Sequence, residues 1–434
     1  DALKKSGIDL LYSIGMIEWY GNTIPMRDAH ETKRTDYIEM MDSFHLQEEE
    51  EWLGYDDDYF DNYAMSSANI LDAKYDKVQI DDVVEEQTHL TDQQREDLRK
   101  LLMKYTKLFA AWEVDWKWQP VTMKDQEQVI NTIIEESKTS TKLPLVLNLC
   151  DGDEVNGTPG IAVVRMLEKN RLAYTGSEEY FYGITTSKGP MKKAFDHAGV
   201  PTAKWAMISS MDDANESLFE QLGSPIILKP AVSGGSMGVG VRNVVYNLEQ
   251  LKIQLEKMLE GYRGWNLSID GVIAEEFING REFTILITGS ARHPDQCRVY
   301  DPVERVFHPS LPAHEKFLSF DRLWEIYEEE APMPAEENFY DYHPVDKDLA
   351  EKMRDLSMEA YAAVNGTGYT RIDLRMDQET GAIKVLEVNA QCGLSEDEDY
   401  TSIGAILRVN GTSFGEMMLE IFQDAFTRKS KKWD

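Results

Sequence analysis

The stretch from Leu143 to Gly176 constrains the fold of this chain more than any other. Pro144-Leu-Val-Leu-Asn-Leu is an apolar run of strand length, Val155–Gly160 a Gly-rich loop, and Ile161–Lys169 a helix. Leu172-Ala-Tyr-Thr-Gly176 then returns as a second strand or its end. Strand, loop, helix and strand in that order predict a βαβ unit, and so a parallel sheet with a right-handed crossover. A doubly wound domain is expected in the residues up to 183.

Charge narrows the partners. The chain has 434 residues, with 45 Lys and Arg against 78 Asp and Glu, a net charge of −33. That balance argues against nucleic acid or an anionic membrane, because phosphate binding needs clustered Lys and Arg. No apolar run approaches the roughly 18–20 residues that cross a bilayer. The first residues lack the basic start and apolar core of a signal peptide, so a cytoplasmic protein is expected. Cys150, Cys297 and Cys392 are widely spaced and form neither a disulfide framework nor a thiolate metal site. The most biased segment, 42–61, interleaves acids with Trp52, Tyr55, Tyr59 and Phe60. It reads as a solvated surface or as a docking site for a cationic partner.

Further elements follow from caps and periodicity. Thr91 opens a helix with apolar residues at Leu98, Leu101, Leu102, Tyr105 and Leu108. Ser224–Pro230 is a strand, Ala231–Gly240 a loop, Val241–Val245 another strand, and Asn247 caps a helix that ends at Gly261. Val272–Ile278 and Glu282–Thr288 flank Asn279-Gly280, which predicts a hairpin. Tyr369–Met376 and Ala382–Asn389 form a second antiparallel pair, turning at Glu379-Thr-Gly381. Ser413 and Glu416 make a capping box for a last helix whose apolar face is Phe414, Met418, Ile421, Phe422 and Ala425.

Three features carry chemistry. Ser233-Gly-Gly-Ser-Met-Gly-Val-Gly240 is a flexible flap whose backbone N–H groups can close on phosphate oxygens. Lys229 ends the strand before it, as a charge for a nucleotide phosphate, as a partner for a carboxylate, or as a lysine reaching for water. Arg371-Ile-Asp373-Leu-Arg375 faces Val385-Leu-Glu387-Val-Asn389, which brings carboxylates and an amide oxygen to one point. Hard oxygen donors in that number suit Mg²⁺, while an ion pair such as Arg371 with Glu387 is the plainer reading.

These residues carry a resemblance. From about residue 145 to 426 the chain resembles the ATP-grasp ligases, and within them the D-alanine–D-alanine ligase family. The ordered segments are Ala173–Ser177, Thr186–Lys188, Ile226–Pro230, Gly234–Gly238, Glu275–Phe283, Glu315–Ser319, Thr370–Asp373, Leu386–Asn389 and Gly411–Phe414. The resemblance implies an α/β fold, α+β in the catalytic part: an ATP-grasp fold with a doubly wound parallel-sheet N-terminal domain. It implies a divergent domain at 1–183, a central subdomain with the Gly-rich flap at 184–270, and a C-terminal subdomain with the Mg site at 271–434.

It further implies that Lys188 and Lys229 contact ATP phosphates, covered by Ser236, Met237 and the flap amides. Glu275 and the backbone near Phe277 would hold the adenine edge, Glu282 the ribose, and Lys316, on a closing lid, the γ-phosphate. Asp373, Glu387 and Asn389 would hold two Mg²⁺, for which Mn²⁺ is an allowed substitute, and Arg371 with the Gly393 backbone would form the oxyanion site. The implied reaction joins a small-molecule carboxylate and an amine through an acyl phosphate, with ADP released; a homodimer is left open. After Asn389, Ala390-Gln-Cys-Gly-Leu-Ser395 is followed by the acids 396–399, which should repel a carboxylate-bearing second substrate. An altered amine, cationic or lacking that carboxylate, is therefore expected unless these acids face solvent. The competing reading is a catalytically idle nucleotide-binding protein that docks partners through its acidic segment.

Overall fold

The computed structural model describes residues 8–15, 80, 84, 92–111, 115–139, 143–152, 154, 159–262, 265–324, 326–334, 337–396 and 401–432. The acidic segment 42–61, Thr91 and most of the loop 155–160 lie outside them.

The expected parallel sheet is present. Strands β1 (Ile8–Gly15), β2 (Asp115–Pro120), β3 (Leu143–Asn148) and β4 (Ala173–Tyr174) lie in the order β2-β1-β3-β4, and all three pairings are parallel. Helices α1 (Asp92–Ala111), α2 (Gln126–Thr139) and α3 (Gly160–Lys169) connect or flank them. Alternation along β3 distributes its side chains to two cores. Val146 joins Val129, Ile130, Ile133, Val163, Val164 and Leu167 from α2 and α3. Leu145 and Leu147 join Leu98, Leu102, Tyr105 and Phe109 of α1, together with residues from the far end of the chain. Both sheet faces are covered, as a doubly wound arrangement requires.

Helices α4 (Glu179–Thr186) and α5 (Lys188–Ala198) lead into an antiparallel sheet of order β5-β8-β6-β7. Its strands are Trp205–Ile208 (β5), Ile226–Pro230 (β6), Val244–Val245 (β7) and Val272–Glu276 (β8), with helices α6 (Ser217–Leu222) and α7 (Leu248–Glu260) between them. Only the end of the expected strand 241–245 is extended. Val241–Asn243 is instead a 3-10 turn, because Asn243 turns inward: its Nδ2 donates to Leu228 O at 2.8 Å and Gly238 O at 2.9 Å. The Asn247 cap is present, its side chain accepting from Gln250 N.

A third sheet has the order β12-β11-β9-β13-β14, with β10 paired to β9. Its strands are Gly280–Thr288 (β9), Arg298–Val299 (β10), Val303–Phe307 (β11), Tyr340–Pro344 (β12), Tyr369–Asp377 (β13) and Ile383–Ala390 (β14). The short helix α8 (Phe320–Leu323) and α9 (Lys347–Ala363) intervene, and α10 (Ser402–Asn410) and α11 (Phe414–Lys432) complete the chain. The Ser413–Glu416 capping box forms, and Met418, Ile421, Phe422 and Ala425 of α11 enter the core shared with α1 and β3. Met418, Ile421 and Phe422, fully buried, contribute about 1.5–3 kcal/mol each.

The hairpin expected at Asn279-Gly280 does not exist. β8 is sandwiched between β5 and β6, while β9 lies between β11 and β13, so the dipeptide carries the chain from one sheet to the next. Gly280 is needed for close approach rather than for a hairpin turn: a Cβ there would lie 2.0 Å from Met376 O. Among the described residues no helix is long and apolar enough to cross a membrane.

Gly280→Ala should therefore lower unfolding stability by about 1–3 kcal/mol, the range for overpacking. Gly234→Ala, where an added Cβ meets nothing within 4 Å, should change it little. Urea denaturation of the two variants beside the parent checks this.

Candidate functional site

The antiparallel pair β13–β14 supplies the centre of the site. Arg371 stands opposite Asn389 and Asp373 opposite Glu387, and the register then shifts so that Leu374 faces Val385. That bulge leaves Leu386 without a partner and brings both Val385 and Val388 into the core with Ile372 and Leu374. Arg371 donates to Asp373 through Nε at 3.1 Å and Nη2 at 3.0 Å, and Asn389 Nδ2 donates to Asp373 Oδ2 at 3.0 Å and Arg371 O at 3.2 Å. The cross-strand pair of Arg371 with Glu387 does not form; Lys188 Nζ is 3.7 Å from Glu387 Oε2. Burial raises the Asp373 carboxyl, but Arg371 and Arg305 outweigh it and hold it below the ordinary value.

The donor set is two carboxylates and an amide, with Nδ2 of Asn389 committed and its oxygen left to accept. Among the described residues no three His, Cys, Asp or Glu gather into an all-protein cage. A divalent cation that retains water and takes phosphate oxygens suits such a set.

Across from β14 lies a buried ion cluster. Lys192, one helical turn after Lys188 on α5, places Nζ 2.7 Å from Glu275 Oε1, and Lys229 Nζ donates to Glu275 Oε2 at 2.5 Å. Burial raises the Glu275 carboxyl, but the two lysines outweigh it and hold it at about 2. Burial lowers Lys192 below the ordinary lysine value, whereas for Lys229 the attraction of Glu275 overcomes burial and raises it. Lys192 Nζ also donates to Thr202 Oγ1 at 2.6 Å, which donates to Val385 O at 2.7 Å, so the cluster is tied to β14.

The remaining expected residues sit around these two groups. Glu282 on β9 is held by Arg305, and Arg375 Nη1 is 3.6 Å from its Oε2. Arg375 also donates to Lys316 O, which anchors that residue at the end of the 3-10 turn Ala313–Glu315. The Lys316 side chain is half-buried, with no ion pair among the described residues. Phe277 stacks edge-on against Phe317, ring centroids 6.0 Å apart, but its N–H is donated to Pro225 O at 3.1 Å. The next backbone N–H, of Ile278, has no protein acceptor among the described residues.

The flap is held rather than loose. Met237 is buried with Leu267 and Phe320, its N–H donated to Gly234 O, and Trp324 Nε1 donates to Gly235 O at 2.9 Å. Ser236 is half-buried at φ 61°, and Val241 N donates to Glu330 Oε1 at 2.8 Å. The Gly-rich loop and the segment that carries Trp324 and Glu330 thus share one contact surface. Gly393 is exposed, with open space where a Cβ would be.

Lys192 and Arg305 are the residues that sequence reasoning passed over, while Arg375 and Gln391 lay within the segments it singled out but received no role. The Lys188-x-x-x-Lys192 spacing, which puts both on one helix face, was a usable signal. Gln391 has φ 57°; its Nε2 donates to Asn148 O at 2.5 Å and its Oε1 accepts from Ser177 N at 3.2 Å. It joins the end of β14 to the ends of β3 and β4. Of the acids after Ser395, Glu396 lies 3.2 Å from Lys104 of α1, and Asp397–Asp399 fall outside the described residues.

Comparisons place this geometry in context. Residues 194–423 match the family described as D-ala D-ala ligase C-terminus. A D-alanine–D-alanine ligase of Bacillus anthracis is 26% identical over 286 residues, covering 64% of this chain and 77% of the relative. One from a Marinomonas species is 27% identical over 269 residues, covering 61% and 73%. Among solved structures, B. anthracis D-alanine–D-alanine ligase aligns at TM-score 0.53 and 16% identity over 98% of this chain and 99% of that one. The same enzyme complexed with ATP aligns at TM-score 0.51 and 21% identity over 73% and 88%. These likenesses show the ATP-grasp fold.

Glu275 has a depressed carboxyl pKa, so its stabilisation is present in full above its ordinary value of 4.5 and is lost as pH falls toward about 2. Glu275→Gln should lower stability at neutral pH by on the order of 3 kcal/mol. The gap between variant and parent should close across that acid window, as measured by denaturation at a series of pH values.

Proposed function

Since the chain belongs to the D-ala D-ala ligase C-terminus family, we propose that it is an ATP-dependent, ADP-forming carboxylate–amine ligase. The observation that carries this reading is the β13–β14 register, which gathers Asp373, Glu387 and Asn389 beside Lys188 and Arg371. In this reading the 1–183 domain, the 184–270 subdomain with its flap and the 271–434 subdomain enclose the reactants. Lys188 and Lys229 bind phosphates, Ser236 and the flap amides near Met237 cover them, and Lys316 closes on the γ-phosphate. Glu275 and the backbone after Phe277 hold the adenine, where the Ile278 N–H is the donor left available. Glu282, oriented by Arg305 and Arg375, accepts from the ribose hydroxyls.

Asp373, Glu387 and Asn389 would hold Mg²⁺, which when bound offsets negative charge during phosphoryl transfer. A substrate carboxylate oxygen attacks the γ-phosphorus, the β–γ bridging bond breaks, and ADP leaves the acyl phosphate behind. An amine then attacks the acyl carbon, and the tetrahedral oxyanion collapses with loss of phosphate and a proton from nitrogen. Arg371 has Nη1 left for that oxyanion after binding Asp373 through Nε and Nη2, and Gly393 N–H lies on the open rim. The flap–lid contact excludes water that would hydrolyse the acyl phosphate.

The relatives are named for D-alanine, and the second substrate here is read as an altered amine. Gln391 fills part of the run that follows Asn389, and the acids 397–399 follow it; Glu396, paired with Lys104, is withdrawn from that role. The alternative of an idle nucleotide-binding protein requires that the same site bind ATP without turnover.

ADP release from Mg-ATP with pooled carboxylates and amines tests the reading. Turnover should appear with at least one pool, and Glu387→Gln should reduce it by about 100-fold or more. ATP raising the melting temperature with no pool giving turnover would instead support the idle protein. Robust D-alanyl-D-alanine synthesis, with no preference for cationic or decarboxylated amines, would overturn the altered-amine part alone.

A further inference from the structure

Glu275 holds two lysines in unequal settings. The Lys192 side chain is 1% exposed and that of Lys229 is 18% exposed, while Glu275 itself is 2% exposed. Lys192 is committed to Glu275 Oε1 and Thr202 Oγ1, whereas Glu275 Oε2 is the partner given to Lys229. An ammonium has three donors, so Lys229 retains capacity on its solvent side.

A nucleotide phosphate that recruits Lys229 must compete with Glu275 for it. Were Lys229 the sole cation on that carboxylate, its departure would leave a buried charge uncompensated, which is strongly unfavourable. With Lys192 fixed on the other oxygen, the carboxylate keeps a counter-ion throughout. We propose that Lys192 is a positioning residue, a standing counter-ion that frees Lys229 to shift its charge from Glu275 to the phosphates of a bound nucleotide. Its link through Thr202 to Val385 O keeps this exchange in register with the strand that carries Glu387. The inference rests on reading Lys229 as a phosphate ligand.

The test separates phosphate recognition from the rest of nucleotide binding. Dissociation constants for ATP and for adenosine, which has no phosphate, are measured on the full chain by competition with a fluorescent ATP analogue. Lys192→Met removes the charge and keeps an unbranched side chain one atom shorter. It should weaken ATP by about tenfold or more and leave adenosine within about twofold, because Lys229 is then held on Glu275. Glu275→Gln, which releases Lys229, should move the ATP-to-adenosine preference the opposite way, and adding it to Lys192→Met should bring that preference back toward the parent. Parallel losses for ATP and adenosine in Lys192→Met, or a preference unchanged in Glu275→Gln, would overturn the inference and mark Lys192 as purely structural. A parent chain that binds neither ligand overturns the nucleotide reading itself, and the inference with it.

Discussion

A slip of one residue between β13 and β14 would send Asp373 and Glu387 to opposite faces of the sheet, because side chains alternate along a strand. The site therefore depends on the register of this pair. The register is held from below by Ile372, Leu374, Val385 and Val388, which fit the core against Phe283, Ile285 and Ile287 only in this pairing. It is held from the side by β9, whose Thr284 stands opposite Asp373 and whose Glu282 stands opposite Arg375. Apolar packing on one face thus positions the charged atoms on the other.

Most of those charged atoms are buried, Arg371 and Glu387 being half-buried, and burial sets their pairing. An isolated ion in a low-dielectric interior is costly, so each is met by an opposite charge: Arg371 by Asp373, Arg305 and Arg375 by Glu282, Lys192 and Lys229 by Glu275. The net charge of −33 belongs to the whole chain and does not describe this region. Lys188, Lys192, Lys229, Arg305, Arg371 and Arg375 form a local cationic cluster balanced by carboxylates, which in the proposed function would also contact nucleotide and cation. An acidic protein can in this way offer a phosphate site without being basic overall.

Local signals were legible where local chemistry decides the structure. The βαβ unit, the β13–β14 pair, the Asn247 cap and the Ser413–Glu416 box each follow from period and capping within one segment. The Asn279-Gly280 signal misled because a turn dipeptide reports how the backbone bends, not whether the flanking strands pair. β8 was taken up by β5 and β6 and β9 by β11 and β13. Val241–Asn243 left the strand because Asn243 found acceptors at Leu228 and Gly238. Arg305 and Gln391 had no sequence signal, since their partners are 23 and 243 residues away. The candidate carboxylates were visible as motifs; the cations that orient them were mostly set by the third dimension.

The central claim is that nucleotide and divalent cation meet between β14 and the β5-β8-β6-β7 sheet, on Asp373, Glu387 and Asn389. Anomalous diffraction from crystals grown with Mn²⁺ and a non-hydrolysable ATP analogue measures this directly. The account predicts Mn²⁺ peaks about 2 Å from oxygens of these three residues, bridged to phosphates that Lys188 and Lys229 also contact. Nucleotide bound elsewhere, or bound here with no Mn²⁺ density at these residues, would contradict it.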